Sequence, residues 1–330
     1  MNFLKLVAKK LFGGLVMIFI VVTFTFFLIR MMPGNPVLAK FTALVQSGVP
    51  YQAAKQQVAA MYGFMPHGPL IVQYFEYLGQ LVHLNLGQSI TYAGVSVMHI
   101  IMSAAPWTIF MVLLGLFFSF VLGVTAGVVS AVWRNSALGQ SSTFLATLLH
   151  GIPQFMLALA FLYLFTTEWR LFPFGAPYDA AIHPGFTLPF IGSIAYHAIL
   201  PIFAYAISGY GGWTLAMKSS VISVLGDEYI LAAELRGLTR GIRMRYIARN
   251  AFLPLFTSLT LSLGFMFGGS IVIETIFDYP GLGFLLNSSI GSQDYPVMQG
   301  AFLIITTAVI VSNILADLLY SLIDPRIRRA

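Results

Sequence analysis

Charged side chains are spaced so widely along this chain that six stretches, roughly 11–29, 107–133, 141–166, 190–216, 251–273 and 295–316, contain no Asp, Glu, Lys or Arg. Each exceeds the ~18 residues that mark a helix able to cross a bilayer. With no water in the bilayer core to satisfy backbone groups, the pattern predicts an all-α integral membrane protein with six transmembrane helices. The first stretch follows Lys5, Lys9 and Lys10, as in a signal peptide. Its apolar run is too long for a signal-peptide core, however, and no small-x-small cleavage site precedes Arg30, so it is read as a retained helix.

The polar interruptions set the organisation. Residues 1–30 form an N-terminal transmembrane helix, 31–106 an extracytoplasmic segment, and 107–330 a transmembrane core containing a loop at 218–250. Gly, Pro and Gln are scattered through 31–106, and its helical-looking run Leu70 to Leu86 is interrupted by Glu76. This predicts a small external subdomain rather than a seventh span.

Six crossings place both termini on one side. On that side lie Lys5, Lys9, Lys10, Arg134, Lys218, Arg236, Arg240, Arg243, Arg245, Arg249, Arg326, Arg328 and Arg329, against Arg30, Lys40, Lys55 and Arg170 on the other. The bias makes the first side cytoplasmic.

Composition agrees: 58% of residues are apolar and 8% charged, against about 25% charged in an average soluble domain. The net charge of +6 therefore concerns membrane orientation, and no nucleic-acid partner is implied. Without cysteine there is no disulfide framework, thiolate metal site or Cys nucleophile. No phosphate loop occurs; the nearest approach, Gly212 to Ser219, lacks the second glycine. The chain is thus not expected to hydrolyse ATP by itself. No paired carboxylates, His-Glu-x-x-His or nucleophile elbow supports a membrane enzyme.

Several local features carry two readings. Gly123/Gly127 and Gly264/Gly268 are small-xxx-small pairs, suited to close helix packing or, less readily, to a gate. Pro106, Pro153 and Pro201 mark kinks more often than binding sites. His150 and His197 lack a partner ligand at i+3 or i+4, which favours packing over metal or proton relay. Glu274 and Asp317 lie at span ends, where water or headgroups are expected to reach them.

The arginine-rich loop from Lys218 to Asn250 is the most specific feature. From Asp227 to Arg236 the run Asp-Glu-Tyr-Ile-Leu-Ala-Ala-Glu-Leu-Arg places acids in the first turn and Arg in the last, and Gly237 follows as a natural stop. This predicts a short capped helix, made slender by Ala232 and Ala233. Arg240, Arg243, Arg245 and Arg249 are free to hold headgroups or partner carboxylates. Insertion into a partner's groove and lying flat on lipid remain equal alternatives at this level.

The run Asp227-Glu-Tyr229-Ile-Leu-Ala232-Ala233-Glu-Leu-Arg236-Gly237, with Asn250-Ala-Phe-Leu-Pro254 downstream, resembles the EAA loop of ABC importer permeases. Other motifs narrow the resemblance. They are Glu274-Thr-Ile-Phe-Asp278-Tyr-Pro280-Gly281-Leu-Gly283, Asp324-Pro325-Arg326-Ile-Arg328, Pro33-Gly-Asn-Pro36, Gln73-Tyr74 and Leu86-Gly-Gln-Ser89. Together they resemble the B-type permease subunit of dipeptide, oligopeptide and nickel ABC importers over essentially the whole chain. Departures are Leu231 and Glu234 at positions usually basic in the family, Lys218 for an Arg, and Gly63-Phe-Met-Pro-His-Gly-Pro69.

The resemblance implies that Asp227, Tyr229, Ala232, Ala233, Arg236 and Gly237 couple to an ATPase. It implies a C-type permease partner, two cytosolic ATP-binding subunits that hold ATP and Mg, an extracytoplasmic substrate-binding protein, and residence in a bacterial or archaeal plasma (inner) membrane. No cofactor is expected in this chain. ATPase closure would move the 227–236 helix and switch a central cavity between inward and outward access. The cargo would be di- or oligopeptides, with nickel or another small solute as the alternative. A gradient-driven secondary transporter is the rival from another class.

Overall fold

The computed structural model describes residues 3–31, 36–62, 69–92 and 94–323. Twelve α-helices follow in order: α1 (Phe3–Met31), α2 (Pro36–Gln46), α3 (Tyr51–Tyr62), α4 (Leu70–Val82), α5 (Val97–Val132), α6 (Ala137–Gly151), α7 (Gln154–Leu162), α8 (Leu188–Leu225), α9 (Glu228–Leu235), α10 (Arg240–Ile276), α11 (Leu282–Gly291) and α12 (Tyr295–Ile323). A π-helical turn, Tyr163–Glu168, continues α7. Among the described residues the only β feature is an isolated Gln88–Ser96 bridge.

Among the described residues, four helical segments are long and apolar enough to cross a membrane: Val7–Leu28, Val97–Val132, Leu188–Leu225 and Tyr295–Leu315. The stretch expected at 141–166 is not one straight helix. It is the pair Ala137–Gly151 and Gln154–Glu168, bent by 99°. The cause is local: a residue before proline is pushed out of the helical region, and Ile152, before Pro153, has φ −87° and ψ 125°. Pro106 and Pro201, by contrast, lie inside continuous helices. The fifth stretch, 251–273, lies within α10, whose side chains at 264–269 fall outside the described residues together with the Gly264/Gly268 expectation.

The chain divides into two compact units, one of Met1–Thr108 with Pro280–Val311 and the other of Ile109–Tyr279 with Ser312–Ala330. In the second unit, α8 is the axis against which α5, α6, α7 and α10 pack. Its seam with α5 runs along glycines. A Cβ on Gly127 would stand 2.5 Å from Met217 Cβ and 2.7 Å from the Thr214 carbonyl, and one on Gly123 would stand 2.9 Å from the Tyr210 carbonyl. Backbone cannot yield as a flexible side chain can, so this pair serves close helix packing. Gly209 and Gly211 on α8 admit Ser119 and the α6 backbone at Ala146 in the same way. His150 rests on this α6–α8 seam, and His197 bonds the Ser193 carbonyl at 2.8 Å.

In the first unit, the Asp294 carboxylate is buried at the entrance to α12. It accepts from the Ser89 hydroxyl and from the Thr91 N–H at 3.0 Å, tying the 86–96 turn to that helix. Gly300 admits Val97 and Ile101 of α5 so closely that a Cβ there would lie 2.7 Å from each.

Candidate functional site

α9 forms because Glu228 to Leu235 contains good helix formers, and it stops because of Gly237. Asp227 holds the N-cap position with an extended backbone, φ −75° and ψ 141°, yet its side chain caps no helix N–H. It hydrogen-bonds Tyr229 instead; partial burial first and this carboxylate second push the Tyr229 phenol above its ordinary pKa. The phenol is therefore neutral across the physiological range.

The C-terminus of α9 follows the expected pattern. Gly237 has φ +71°, its N–H donates to the Glu234 carbonyl at 2.9 Å, and the Leu238 N–H donates to the Ala233 carbonyl at 3.2 Å. These two bonds define a Schellman cap, which requires the left-handed conformation that glycine adopts freely.

The helix is two-sided. Ile230 and Ala233 are buried, and Ile230 joins a core of Val221 and Val224 from α8 with Ile247, Ala251 and Leu255 from α10. Burial of that one Ile side chain contributes about 1.5–3 kcal/mol to holding α9. Tyr229, Leu231, Ala232 and Leu235 face outward, Leu235 at 81% exposure. The expectation that Ala232 and Ala233 share a docking face therefore needs correction: Ala233, 7% exposed, lies in the seam, and its small size lets α9 approach its own bundle.

Arg243 is likewise not free for a partner. Its guanidinium meets the Glu234 carboxylate at 2.5 Å, clipping α9 to the first turn of α10. Arginines at a helix N-terminus oppose the macrodipole, and Glu234 offsets one of them. Arg245, Arg249 and Arg236 are exposed. Lys218 donates to Thr143 Oγ1 at 2.9 Å.

The second motif spans the exit from α10 and the entry to α11. Glu274, expected within reach of water, is fully buried, and its carboxylate lies in electrostatic range of Tyr205 and Tyr279. Asp278 takes φ +51°, a left-handed conformation that Asp tolerates better than most residues. The Tyr279 N–H then returns to the Glu274 carbonyl at 2.9 Å and closes the helix end. A Cβ on Gly175, itself at φ +67°, would lie 3.3 Å from Asp278 Oδ2. Pro280 and Gly281 lead into α11, where the Leu282 N–H donates to the buried Thr108 hydroxyl at 2.7 Å and Gly283 is buried. Asp324, Pro325 and Arg326 lie outside the described residues, as do the side chains of Asp317 and Pro36, residues 33–35 and most of 63–69.

Sequence reasoning missed the Asp294–Ser89 pair and the Glu234–Arg243 clip. Asp294-Tyr-Pro does carry an N-cap signature, a carboxylate ahead of a proline in a first helical turn. No local signal could have paired it with Ser89, far away in sequence. Among the described residues, no group of three or more His, Cys, Asp or Glu converges as a metal site would require.

A family model for the binding-protein-dependent transport system inner membrane component matches residues 123–329. A provisionally named peptide permease protein of Brucella suis biovar 1 (strain 1330) is 35% identical over 326 residues, covering 98% of this chain and 99% of its own length. The oligopeptide transport system permease protein OppB of Haemophilus influenzae is 32% identical over 326 residues, with the same coverage. The nickel import system permease protein NikB of Staphylococcus aureus (strain bovine RF122 / ET3-1) is 30% identical over 329 residues, covering 99% of this chain and 93% of its own length.

Proposed function

The chain belongs to the family of binding-protein-dependent transport system inner membrane components, and on that premise we propose that it forms one half of the pore of an ATP-driven peptide importer. It is a multi-pass permease subunit of an ABC importer; its cargo, the orientation of its termini and its partners are the proposed part. The observation that carries the reading is α9: a short helix closed by a C-terminal Schellman cap and held against α8 and α10 by Ile230, with Ala233 buried and Tyr229, Leu231, Ala232 and Leu235 presented outward.

A coupling element has to transmit motion without bending, and it has to offer an apolar surface to a partner. α9 has both properties. Its polar residues Glu228 and Glu234 are acidic, which disfavours the lipid-lying alternative on an anionic membrane and favours a protein groove.

In this reading two cytosolic ATPase subunits bind ATP and Mg. Their closure displaces α9 as a rigid body, and the movement reaches α8 and α10 through the Val221, Ile247 and Ala251 core. A second, C-type permease completes the pore, and an extracytoplasmic binding protein delivers cargo. The termini lie on the cytoplasmic side with the arginine-rich loop, as the positive-inside bias requires. Asp227, Tyr229, Ala232 and Arg236 contact the ATPase or shape the contact, while Ala233 and Gly237 hold the helix in place. The 274–283 motif supports the pore by closing α10 and starting α11.

Peptide is preferred over nickel because relatives named for peptide or oligopeptide transport include the highest identity quoted above. Nickel is the second reading, on the strength of the 30% identical nickel permease. Cargo is tested by reconstituting the permease pair with its ATPases and binding protein and offering labelled di- and oligopeptides beside nickel. Peptide accumulation without nickel uptake is expected; nickel uptake alone would reassign the cargo while leaving the importer mechanism intact.

A further inference from the structure

Helix α4 lies within the segment that the sequence assigns to the outside, yet its packing puts it at membrane depth. One face carries Tyr74 and Tyr77, which are buried with Val22 and Phe26 of α1; Leu78 and Leu81 pack against the same cluster, as do Ile18 of α1 and Leu303 of α12. The Tyr74 hydroxyl shares a 2.7 Å hydrogen bond with Thr23 Oγ1, and its ring stacks on Phe27 with centroids 5.5 Å apart.

All of the α1 partners lie within Val7–Leu28, and Leu303 lies within Tyr295–Leu315, two of the segments able to cross a membrane. At 1.5 Å per residue, Thr23, which bonds Tyr74, is about 8 Å and Phe26, against Tyr74 and Tyr77, about 3 Å inside the end of the first segment. These contacts set α4 against the last two turns of that segment. At about 20 Å long it is too short to cross the roughly 30 Å hydrocarbon core.

The remaining surface of α4 fits that depth. Ile71, Val72, Phe75 and Val82 point away from α1 and are exposed, Phe75 at 64%. Phe19 and Phe24 of α1 are exposed apolar residues as well. Glu76 and Gln80 lie four residues apart along one flank, a polar edge bounding the apolar face, as in helices that lie at a bilayer interface.

We propose that α4 is an interfacial helix immersed in the outer leaflet, with Ile71, Val72, Phe75 and Val82 on lipid acyl chains and the Glu76–Gln80 edge toward the headgroups. Its role is to brace the outer half of α1 through the Tyr74–Thr23 bond and the Phe26 cluster. The inference rests on α1 and α12 being membrane spans.

The absence of cysteine makes the test direct. Phe75→Cys, Ile71→Cys and, as references, Phe24→Cys on α1 and Gln56→Cys on α3 are labelled with bimane in the assembled transporter in nanodiscs. Emission is compared in ordinary and brominated phosphatidylcholine and with aqueous iodide. Labels at 75, 71 and 24 are expected to lose emission in brominated lipid and to resist iodide, with the reverse at 56. Iodide quenching at 75 and 71 alongside bromolipid quenching at 24 would overturn the proposal and leave the span of α1 standing. Insensitivity of 75 and 71 to both quenchers, with 24 quenched by bromolipid, would show a protein partner in place of lipid and equally overturn it. A label at 24 unaffected by bromolipid would withdraw α1 as a lipid-facing span, and with it the premise.

Discussion

Replacing Gly237 separates backbone strain from crowding, because a Cβ there meets nothing within 4 Å while the backbone sits at φ +71°. Any loss on substitution must then come from conformation alone. An L-residue held in the left-handed region costs about 1–2 kcal/mol, less for Asn and more for a β-branched residue. A cost of that size shifts the ratio of capped to frayed helix by a factor of about 5–30. It acts on the two bonds that close α9, from Gly237 N–H to Glu234 and from Leu238 N–H to Ala233. Hydrogen exchange at the 237 and 238 amides should therefore lose protection in the order Gly, Asn, Ala, Val, and peptide uptake by the reconstituted complex should fall in the same order. Gly237→Val should insert in the membrane normally, yet lose ATPase association and transport. Normal uptake by Gly237→Val, or equal damage from Asn and Val, would refute the left-handed cap as the basis of coupling.

Ala232→Arg and Ala233→Arg should fail differently: the first, exposed, should leave the permease folded but weaken ATPase capture, whereas the second, in the seam, should lower the thermal stability of the permease itself by more than about 1–3 kcal/mol. Single charge reversals at Glu234 or Arg243 should raise exchange in α9 by the effect of an exposed ion pair, up to about 1 kcal/mol, and the swapped double variant should recover it. Gly127→Leu should prevent α5 from seating on α8, detected as loss of the folded permease in detergent by size-exclusion chromatography. Asp294→Ala should destabilise the 86–96 turn by about 1–3 kcal/mol, visible as protease sensitivity there, because the Ser89 hydroxyl and Thr91 N–H lose their acceptor.

Helices were legible wherever one local signal sufficed. Apolar runs located α1, α5, α8 and α12, and the acids at 227–228 with Gly237 located α9 to within a residue or two. Pro153 announced a break, but not its 99° angle, which depends on what α6 and α7 pack against. Which way a side chain points was harder to read. Ala232 and Ala233 are adjacent and chemically identical, and only the placement of α8 and α10 decides that one faces out and the other in. Glu274 read as a boundary carboxylate because charged groups at span ends commonly reach water, whereas here it is fully buried, in electrostatic range of Tyr205 and Tyr279. Tertiary pairs such as Glu234 with Arg243 leave no periodic trace at all.

In the proposed mechanism energy enters through α9 from ATPase subunits rather than from an ion gradient. Its most direct test is uptake of labelled peptide into liposomes holding the permease pair, with the binding protein supplied on the delivery side. One arm has ATP and the ATPase subunits present, and the other has an imposed proton or sodium gradient and no ATPase. The account predicts accumulation in the first arm only, abolished when the ATPase subunits are omitted. Substantial accumulation driven by the gradient alone would contradict it and turn attention to the buried Glu274 as a coupling carboxylate.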